Sequence, residues 1–177
     1  MANNVKKIYG VLGYPVKHSL SPVMHNAAFG HLKIDAEYKL FEVRPEALED
    51  VLLGNISIKD TEGNEVYAGD ISGFNITIPH KIKAKELLEK KFPFDQNAVL
   101  INIDLYYVKL SGAVNTVKRE ANILRYWNTD APGFLKSLEV DLEFEPKGKN
   151  ALLIGCGGAG RAIIAALSWG NVGIKKI

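Results

Sequence analysis

The sequence predicts an α/β fold built on a mostly parallel sheet, and three observations carry that prediction. Short β-branched or alternating apolar runs at Val5–Leu12, Ala36–Val43 and Gly69–Pro79 are separated by runs with the apolar spacing of helices. Strand and helix therefore alternate, the order that lays helices on the faces of a parallel sheet and gathers ligands beyond the carboxyl ends of its strands. Near the end, the apolar run Asn150–Ile154 leads directly into a glycine-rich turn and then a helical run, the opening of a second, incomplete unit.

Taken in order, Val5–Leu12 ends at Gly13, Tyr14 and Pro15 and reads as a strand followed by a loop. The next element is a helix over Pro22–Leu32, with Ser21 as a natural N-cap, Pro22 at its first position, and Val23, Ala27 and Leu32 approximating one face. Ala36–Val43 alternates as a second strand, and Pro45 opens a helix through Leu53. The stretch Asn55–Gly69, with Asp60, Glu62, Gly63 and Asn64, is polar and turn-rich and is expected to be an exposed excursion. Gly69–Pro79 contains a third strand carrying Ile71, Phe74, Ile76 and Ile78, and Lys81–Lys91 reads as an amphipathic helix whose charges form a solvated face. Ala113–Lys118 and Ile123–Trp127 read as strands around a turn, and Pro132 suits the first turn of a further helix. A polar linker, Glu143–Lys149, precedes a buried-type strand at Asn150–Ile154, and a helix over Arg161–Trp169 follows the glycines.

The chain has 177 residues, 47% hydrophobic and 24% charged, enough for one ordinary core and part of a second. Its 22 basic and 20 acidic side chains leave a net charge of +2, which gives no broad field for a polyanion and argues against nucleic acid as a partner. The single cysteine, Cys156, has no internal disulfide partner, which favours a reducing compartment. Lys6 and Lys7 precede a run that glycine and proline break before it could serve as a signal or membrane span, so a cytoplasmic protein with no membrane partner is expected. His18, His25, His31 and His80 do not fall at a metal-ligand spacing and no carboxylate cluster joins them; no metal is expected. No serine, cysteine or threonine is paired by motif with a histidine base, so covalent hydrolysis has no support.

Gly155, Gly157 and Gly160 fit the spacing of the dinucleotide fingerprint between a strand and a helix. With Gly158 and Ala159 they form the candidate cofactor loop: the glycines serve a tight turn, close approach to a pyrophosphate and close packing of helix on strand, while the helix N-terminus offers amide donors. A purely structural glycine turn is the alternative. The residue that reads the ribose lies about 20 positions further on in such units, beyond Ile177, so a preference between NADP and NAD is not written in these residues.

Polar residues gather in four further segments: His18–Pro22 with His25, Asn75–Lys81, Gly112–Thr116 and Asn128–Asp130. Ser19 and Ser21 lie either side of Leu20 and can donate to a carboxylate or serve as helix caps. Asn75 and Thr77, two residues apart on a strand, share a face and need partners, either neighbouring backbone or a ligand. On local grounds alone Lys81 is a surface lysine, and Asn115 has an alternative role as a turn residue.

In this order, and with the glycine loop following, these segments resemble shikimate dehydrogenase over nearly the whole chain. The resemblance implies a substrate-binding domain over 1–131, then a linker helix and the first part of a truncated, Rossmann-like NADP-binding domain over 132–177. It implies an oxidoreductase of aromatic amino-acid biosynthesis that uses NADP in the reversible reduction of 3-dehydroshikimate to shikimate, with quinate-type substrates not excluded. Ser19 and Ser21 would hold the substrate carboxylate; Asn75, Thr77 and Asn115 would meet the ring. Lys81 and Asp130 would face each other across the substrate as the catalytic acid/base pair. The alternative is a truncated relative that binds shikimate without turnover, and a homodimer is compatible with either. The chain departs from the family at Ala131, where the family has glycine. Pro132 then biases Ala131 away from the helical region, so the loop around Asp130 is expected to differ. Phe92–Leu110 is also longer and more apolar than in the family, and no function is assigned to it.

Overall fold

The computed structural model describes residues 6–94, 103–169 and 172–177. It divides into two compact units, Met1–His80 with Thr116–Arg125, and Lys81–Asn115 with Tyr126–Ile177.

The first unit holds β1 (Lys7–Gly13), α1 (Ser21–His31), β2 (Ala36–Glu42), α2 (Leu48–Leu53), β3 (Ser57–Lys59), β4 (Glu65–Tyr67), β5 (Ile71–Ile76), β6 (Thr116–Glu120) and the start of β7 (Ile123–Trp127). The main sheet runs in the order β2-β1-β5-β6-β7. Its β1 strand is parallel to both β2 and β5, whereas β6 is antiparallel to β5. The class is α/β as expected, and the parallel pairs of the main sheet are those among β2, β1 and β5. Parallel neighbours need a long crossover, which α1 provides between β1 and β2. Strands β6 and β7 are joined by a tight turn and need none.

One face of the sheet collects Val11, Val16 and Tyr38, with Tyr9, Phe29 and Leu40 packed against them. Leu12, Phe41, Leu48, Val51, Ile71 and Ile76 are fully buried elsewhere in the unit. Gly10 makes room for Phe41, since a Cβ at that position would lie 2.5 Å from Cε2 of its ring.

Helix α1 differs from expectation twice. Its N-cap is Leu20, whose side chain makes no capping bond, so Ser21 is the first helical residue rather than the cap. None of its residues is fully buried, and Val23 and Leu32 are 71% and 63% exposed. Polar contacts set its rotation: the Asn26 Nδ2 donates to the Tyr38 carbonyl at 3.0 Å, and the Tyr38 N–H donates to Asn26 Oδ1 at 2.8 Å. That clasp brings His25 and Phe29 to the sheet, and with it the face the helix presents.

The excursion over Asn55–Gly69 is an antiparallel hairpin, β3 with β4, and it is anchored rather than loose. Asp60 is buried and accepts bonds from Lys39 Nζ at 2.7 Å, from the Glu62 and Asn64 N–H groups at 3.0 and 2.9 Å, and from Asn64 Nδ2 at 3.0 Å. Burial alone would raise its pKa, but Lys39 and Asn64 outweigh burial and hold it at about 2. His80 is also buried; its Nε2 donates to the Val43 carbonyl at 2.7 Å, and burial holds its pKa below the ordinary value.

The second unit contains α3 (Lys81–Lys91), α4 (Ile103–Ser111), α5 (Asp130–Val140) and α6 (Gly158–Leu167). Both α4 and α5 pack on α6, around Tyr107, Ala131, Ala162, Ala165 and Ala166, with Tyr106, Phe134, Leu135 and Trp169 against them. The alanines of α6 let the larger rings approach, and Tyr106 meets Trp169 edge-on with ring centroids 4.6 Å apart. Within the unassigned stretch Phe92–Leu110, residues 95–102 lie outside the described residues, while the rest from Ile103 onward forms α4.

Asn150–Ile154 is not the buried strand its sequence predicts. The segment starts a parallel pairing, with the Lys175 N–H donating to the Lys149 carbonyl and the Ala151 N–H to the Lys176 carbonyl, both at 2.8 Å, and a single bridge between Asn150 and Lys176. Beyond Ala151 it has no ladder partner among the described residues, and Leu152 and Ile154 stand 88% and 92% exposed. A strand becomes regular and buried only through neighbours, which its own composition cannot supply. The two paired stretches flank α6 as in a β-α-β crossover. The helix itself starts at Gly158, inside the glycine run, rather than at Arg161.

Candidate active site

The residues expected to carry chemistry fall into a group in each unit. In the first unit, β1 and β5 run parallel and end side by side, with Leu12 opposite Ile76. Past their ends the Tyr14 N–H donates to the Ile78 carbonyl at 3.0 Å and the Thr77 N–H to the Leu12 carbonyl at 2.9 Å. Gly13 is required here because a Cβ would lie 2.5 Å from Cγ2 of Thr77 and 3.2 Å from the Ile78 carbonyl oxygen.

On the loop after β1, the Ser19 hydroxyl donates to Ser21 Oγ at 3.0 Å and accepts from the Ser21 N–H at 3.3 Å. The two hydroxyls are therefore side by side and half-buried; Ser19 Oγ meets the first amide of α1, while Ser21, the first helical residue, does not cap it. Asn75 lies on β5 with its side chain engaged on two sides: Tyr38 Oη donates to Oδ1 at 2.6 Å, and Nδ2 donates to Thr116 Oγ1 at 3.3 Å.

The second unit brings together Lys81, Asn115 and Asp130. Lys81 is the first residue of α3, and its carbonyl accepts the Val114 N–H at 2.9 Å, which fixes the start of α3 beside Asn115. Lys81 Nζ donates to Asp130 Oδ2 at 2.6 Å, with the two side chains only 15% and 27% exposed. The other carboxylate oxygen accepts from Asn115 Nδ2 at 2.7 Å. Asn115 is buried, and its amide also bonds Thr129, through Nδ2 to Oγ1 at 2.9 Å and through Oδ1 from the Thr129 N–H at 2.9 Å. Asp130 opens α5, where the helix dipole favours a carboxylate; a lysine opening α3 sits against its dipole, and the facing carboxylate compensates.

Asn128 builds this geometry and has no role in the sequence reading. It is completely buried. Its Oδ1 accepts the N–H groups of Asp130 and Ala131 at 3.1 and 3.3 Å, while its Nδ2 donates to Ser111 Oγ and to the Ala113 carbonyl, both at 3.0 Å. One amide thus ties the first turn of α5 to the end of α4. It also accounts for Ala131, which is helical and buried despite the proline after it: the bonds from Asn128 outweigh the bias of a residue before proline. The capping residue stands one position earlier than the usual N-cap, so a search for a cap directly before the helix passes it by.

The glycine loop lies in the same unit. Gly155 has φ +100, and a Cβ at Gly160 would lie 2.4 Å from the Gly155 carbonyl oxygen, so the base of the loop closes only with glycine. Nothing lies within 4 Å of where a Cβ would stand at Gly155 or Gly157, leaving the outer side open. The first turn of α6, containing Gly158, Ala159 and Gly160, has no acidic residue and no side-chain cap. Its amides are thus available to an anion, which fits a pyrophosphate. Gly158 also lies on the stem of Lys81: a Cβ there would come 2.7 Å from Lys81 Cβ and 2.9 Å from its Cδ.

Chemically, an ammonium held by a carboxylate and reachable from solvent can donate a proton to an oxygen beside it and steady negative charge developing there. Among the described residues no group of three or more His, Cys, Asp and Glu side chains is placed to hold a metal ion, and no helix is long and apolar enough to cross a membrane.

Residues 11–117 match the family model of the shikimate dehydrogenase substrate binding domain. The chain is similar to the shikimate dehydrogenase (NADP(+)) of Geobacter metallireducens, 41% identical over 171 residues that cover 97% of this chain and 51% of the relative. Among solved structures it is similar to shikimate dehydrogenase from Aquifex aeolicus, with a TM-score of 0.75 and 38% identity, over 99% of this chain and 56% of that one. It is also similar to shikimate 5-dehydrogenase from Thermus thermophilus in complex with NADP(H) and shikimate, with a TM-score of 0.72 and 32% identity, over 96% of this chain and 54% of that one. The chain spans about half the length of the curated relatives it matches.

Proposed function

The chain belongs to the family of the shikimate dehydrogenase substrate binding domain, and on that premise we propose that it carries the shikimate site and acid/base pair of an NADP-dependent oxidoreductase interconverting 3-dehydroshikimate and shikimate. Residues 1–131 form the substrate-binding domain in this reading, and 132–177 form a linker helix and the first part of the NADP-binding domain. The observation that carries it is the Lys81–Asp130 pair at 2.6 Å, braced by Asn115. NADPH, when bound, supplies the hydride. Lys81 gives its proton to the ring oxygen as that oxygen gains charge, and Asp130 orients the lysine and the neighbouring hydroxyl. Ser19 and Ser21 donate to the substrate carboxylate. Asn75, Thr77 and Asn115 hold the ring, so that orientation is set before reaction. Gly155, Gly157, Gly158, Ala159 and Gly160 receive the pyrophosphate.

A second reading is shikimate binding without turnover: among the described residues the segment after Ala151 has no ladder partner, so the phosphate loop has less support beneath it than the Lys81–Asp130 pair. Calorimetric titration with shikimate and a spectrophotometric NADPH assay together separate the readings. Binding with NADPH-linked turnover supports the dehydrogenase, binding alone supports the second reading, and no binding at high millimolar shikimate sinks both.

A further inference from the structure

A tyrosine packed by its ring in an apolar cluster does not need its hydroxyl for packing. Tyr38 stands on the edge strand β2 opposite Tyr9 of β1, and Asn75 stands on β5 opposite Val11. The Tyr38 side chain therefore reaches over β1, across two strand spacings or about 10 Å, and its last atom makes the contact. A phenylalanine would fill the same cluster and stop short of Asn75.

The ring that carries this hydroxyl is held on every side. Asn26 clasps the Tyr38 backbone through both its N–H and its carbonyl, at 2.8 and 3.0 Å. The His25 ring stacks on it with centroids 4.2 Å apart and planes 16° from parallel, and Val11 and Val16 pack around it. Burial pushes the Tyr38 hydroxyl well above its ordinary pKa, which leaves a neutral O–H to donate. The contact with Asn75 is 2.6 Å, an O–H···O length and shorter than amide nitrogens make. The contact of Asn75 with Thr116 is 3.3 Å, in keeping with the nitrogen on that side. The two ends of the amide are thereby told apart.

We infer that Tyr38 is a positioning residue for substrate recognition: its hydroxyl holds the oxygen of the Asn75 amide, so that Asn75 meets a substrate hydroxyl with its –NH2 end. This rests on reading Asn75 as a substrate contact. His25 and Asn26, on α1, act one step further back by fixing the tyrosine ring. The sense of the Asn75 hydrogen bond to the ligand is then decided from the far edge of the sheet.

The test is a double-mutant cycle on shikimate affinity in the 177-residue chain, with Tyr38→Phe, Asn75→Ala and the double variant, each checked for folding by its thermal transition. Tyr38→Phe should weaken shikimate binding about fivefold to tenfold, the worth of one oriented hydrogen bond. The same change should cost nothing further in the Asn75→Ala background. The Asn75 side-chain amide resonances, assigned in 15N spectra, should shift or double in Tyr38→Phe even if that variant is less stable. If Asn75→Ala leaves affinity unchanged, or the unsubstituted chain does not bind shikimate, the reading of Asn75 fails and the inference with it. If Asn75→Ala weakens binding but Tyr38→Phe does not, or the two losses simply multiply, Tyr38 is structural and the inference alone is overturned. Unmoved Asn75 amide resonances in Tyr38→Phe overturn it as well.

Discussion

Replacing Asn128 by alanine removes one amide that does two jobs. The Oδ1 contact with the N–H groups of Asp130 and Ala131 is a helix cap, whose loss costs about 1 kcal/mol. Losing Nδ2 strips a donor from the Ala113 carbonyl and from Ser111 Oγ, and buried acceptors left short cost about 1–3 kcal/mol. Asn128→Ala should therefore destabilise the chain by about 2–4 kcal/mol, large against the 5–15 kcal/mol typical of a domain but not enough by itself to unfold one. Ser111 shares the contact, so Ser111→Ala should cost less, and the double variant less than the sum of the two. Urea unfolding followed by tryptophan fluorescence measures all three. Below the unfolding transition, Asn128→Ala should also bind shikimate more weakly, because the first turn of α5 no longer fixes Asp130. A loss under about 0.5 kcal/mol, or strict additivity with Ser111→Ala, would refute the assignment of Asn128 as the joint between α4 and α5.

On the dehydrogenase reading, in a protein that joins this chain to a complete nucleotide domain, Lys81→Ala should lower NADPH-linked turnover by about 10²–10⁴-fold while changing shikimate affinity much less, since its strongest interaction is with charge that develops during reaction; an equal loss in both would leave Lys81 a binding group only. Gly13→Ala should cost about 1–3 kcal/mol through overpacking and displace Thr77, whose Cγ2 lies 2.5 Å from the new Cβ; a variant as stable as the parent and equal in shikimate affinity would show that the strand ends give way freely. The folded-state pKa of Asp60, about 2, lies below its ordinary value of 3.8, so its contribution, on the order of 2 kcal/mol, is complete above about pH 4 and is lost as pH falls toward 2. Asp60→Asn should flatten that part of the stability profile measured by urea unfolding at successive pH values, and an unchanged profile would contradict the pairing with Lys39.

The strands of the main sheet were legible because their patterns answer to a single local rule, alternation, which Phe74 and Ile76 display plainly. Where elements depend on a distant partner, the sequence is silent. Val23 and Leu32 mark an apolar face on α1, but the rotation of that helix is set by Asn26 clasping a strand a dozen residues on. Asp60 reads as a surface residue of a polar loop until Lys39, from a different element, folds over it. The run at Asn150–Ile154 has the composition of a buried strand, yet burial belongs to what lies beside it rather than to the run itself. For the candidate site, Lys81, Asn115 and Asp130 were named through family resemblance and not through local physics, which makes Lys81 one surface lysine among several. Asn128 and Tyr38 were missed for opposite reasons: Asn128 caps from one position too early, and Tyr38 has the pattern of any core aromatic.

The contact between Gly158 and the stem of Lys81 changes how genetic data on the glycine loop should be interpreted. In a saturation screen, a glycine that tolerates no replacement inside a dinucleotide fingerprint is ordinarily scored as evidence of nucleotide binding. At Gly158 that inference is ambiguous, because any side chain would press on the methylenes of the lysine and draw its ammonium from Asp130, with or without a nucleotide bound. Gly157, where an added methyl group would meet nothing within 4 Å, carries no such ambiguity. Intolerance there reports on the loop's own ligand, and the contrast between neighbouring glycines separates the two kinds of constraint within a single experiment.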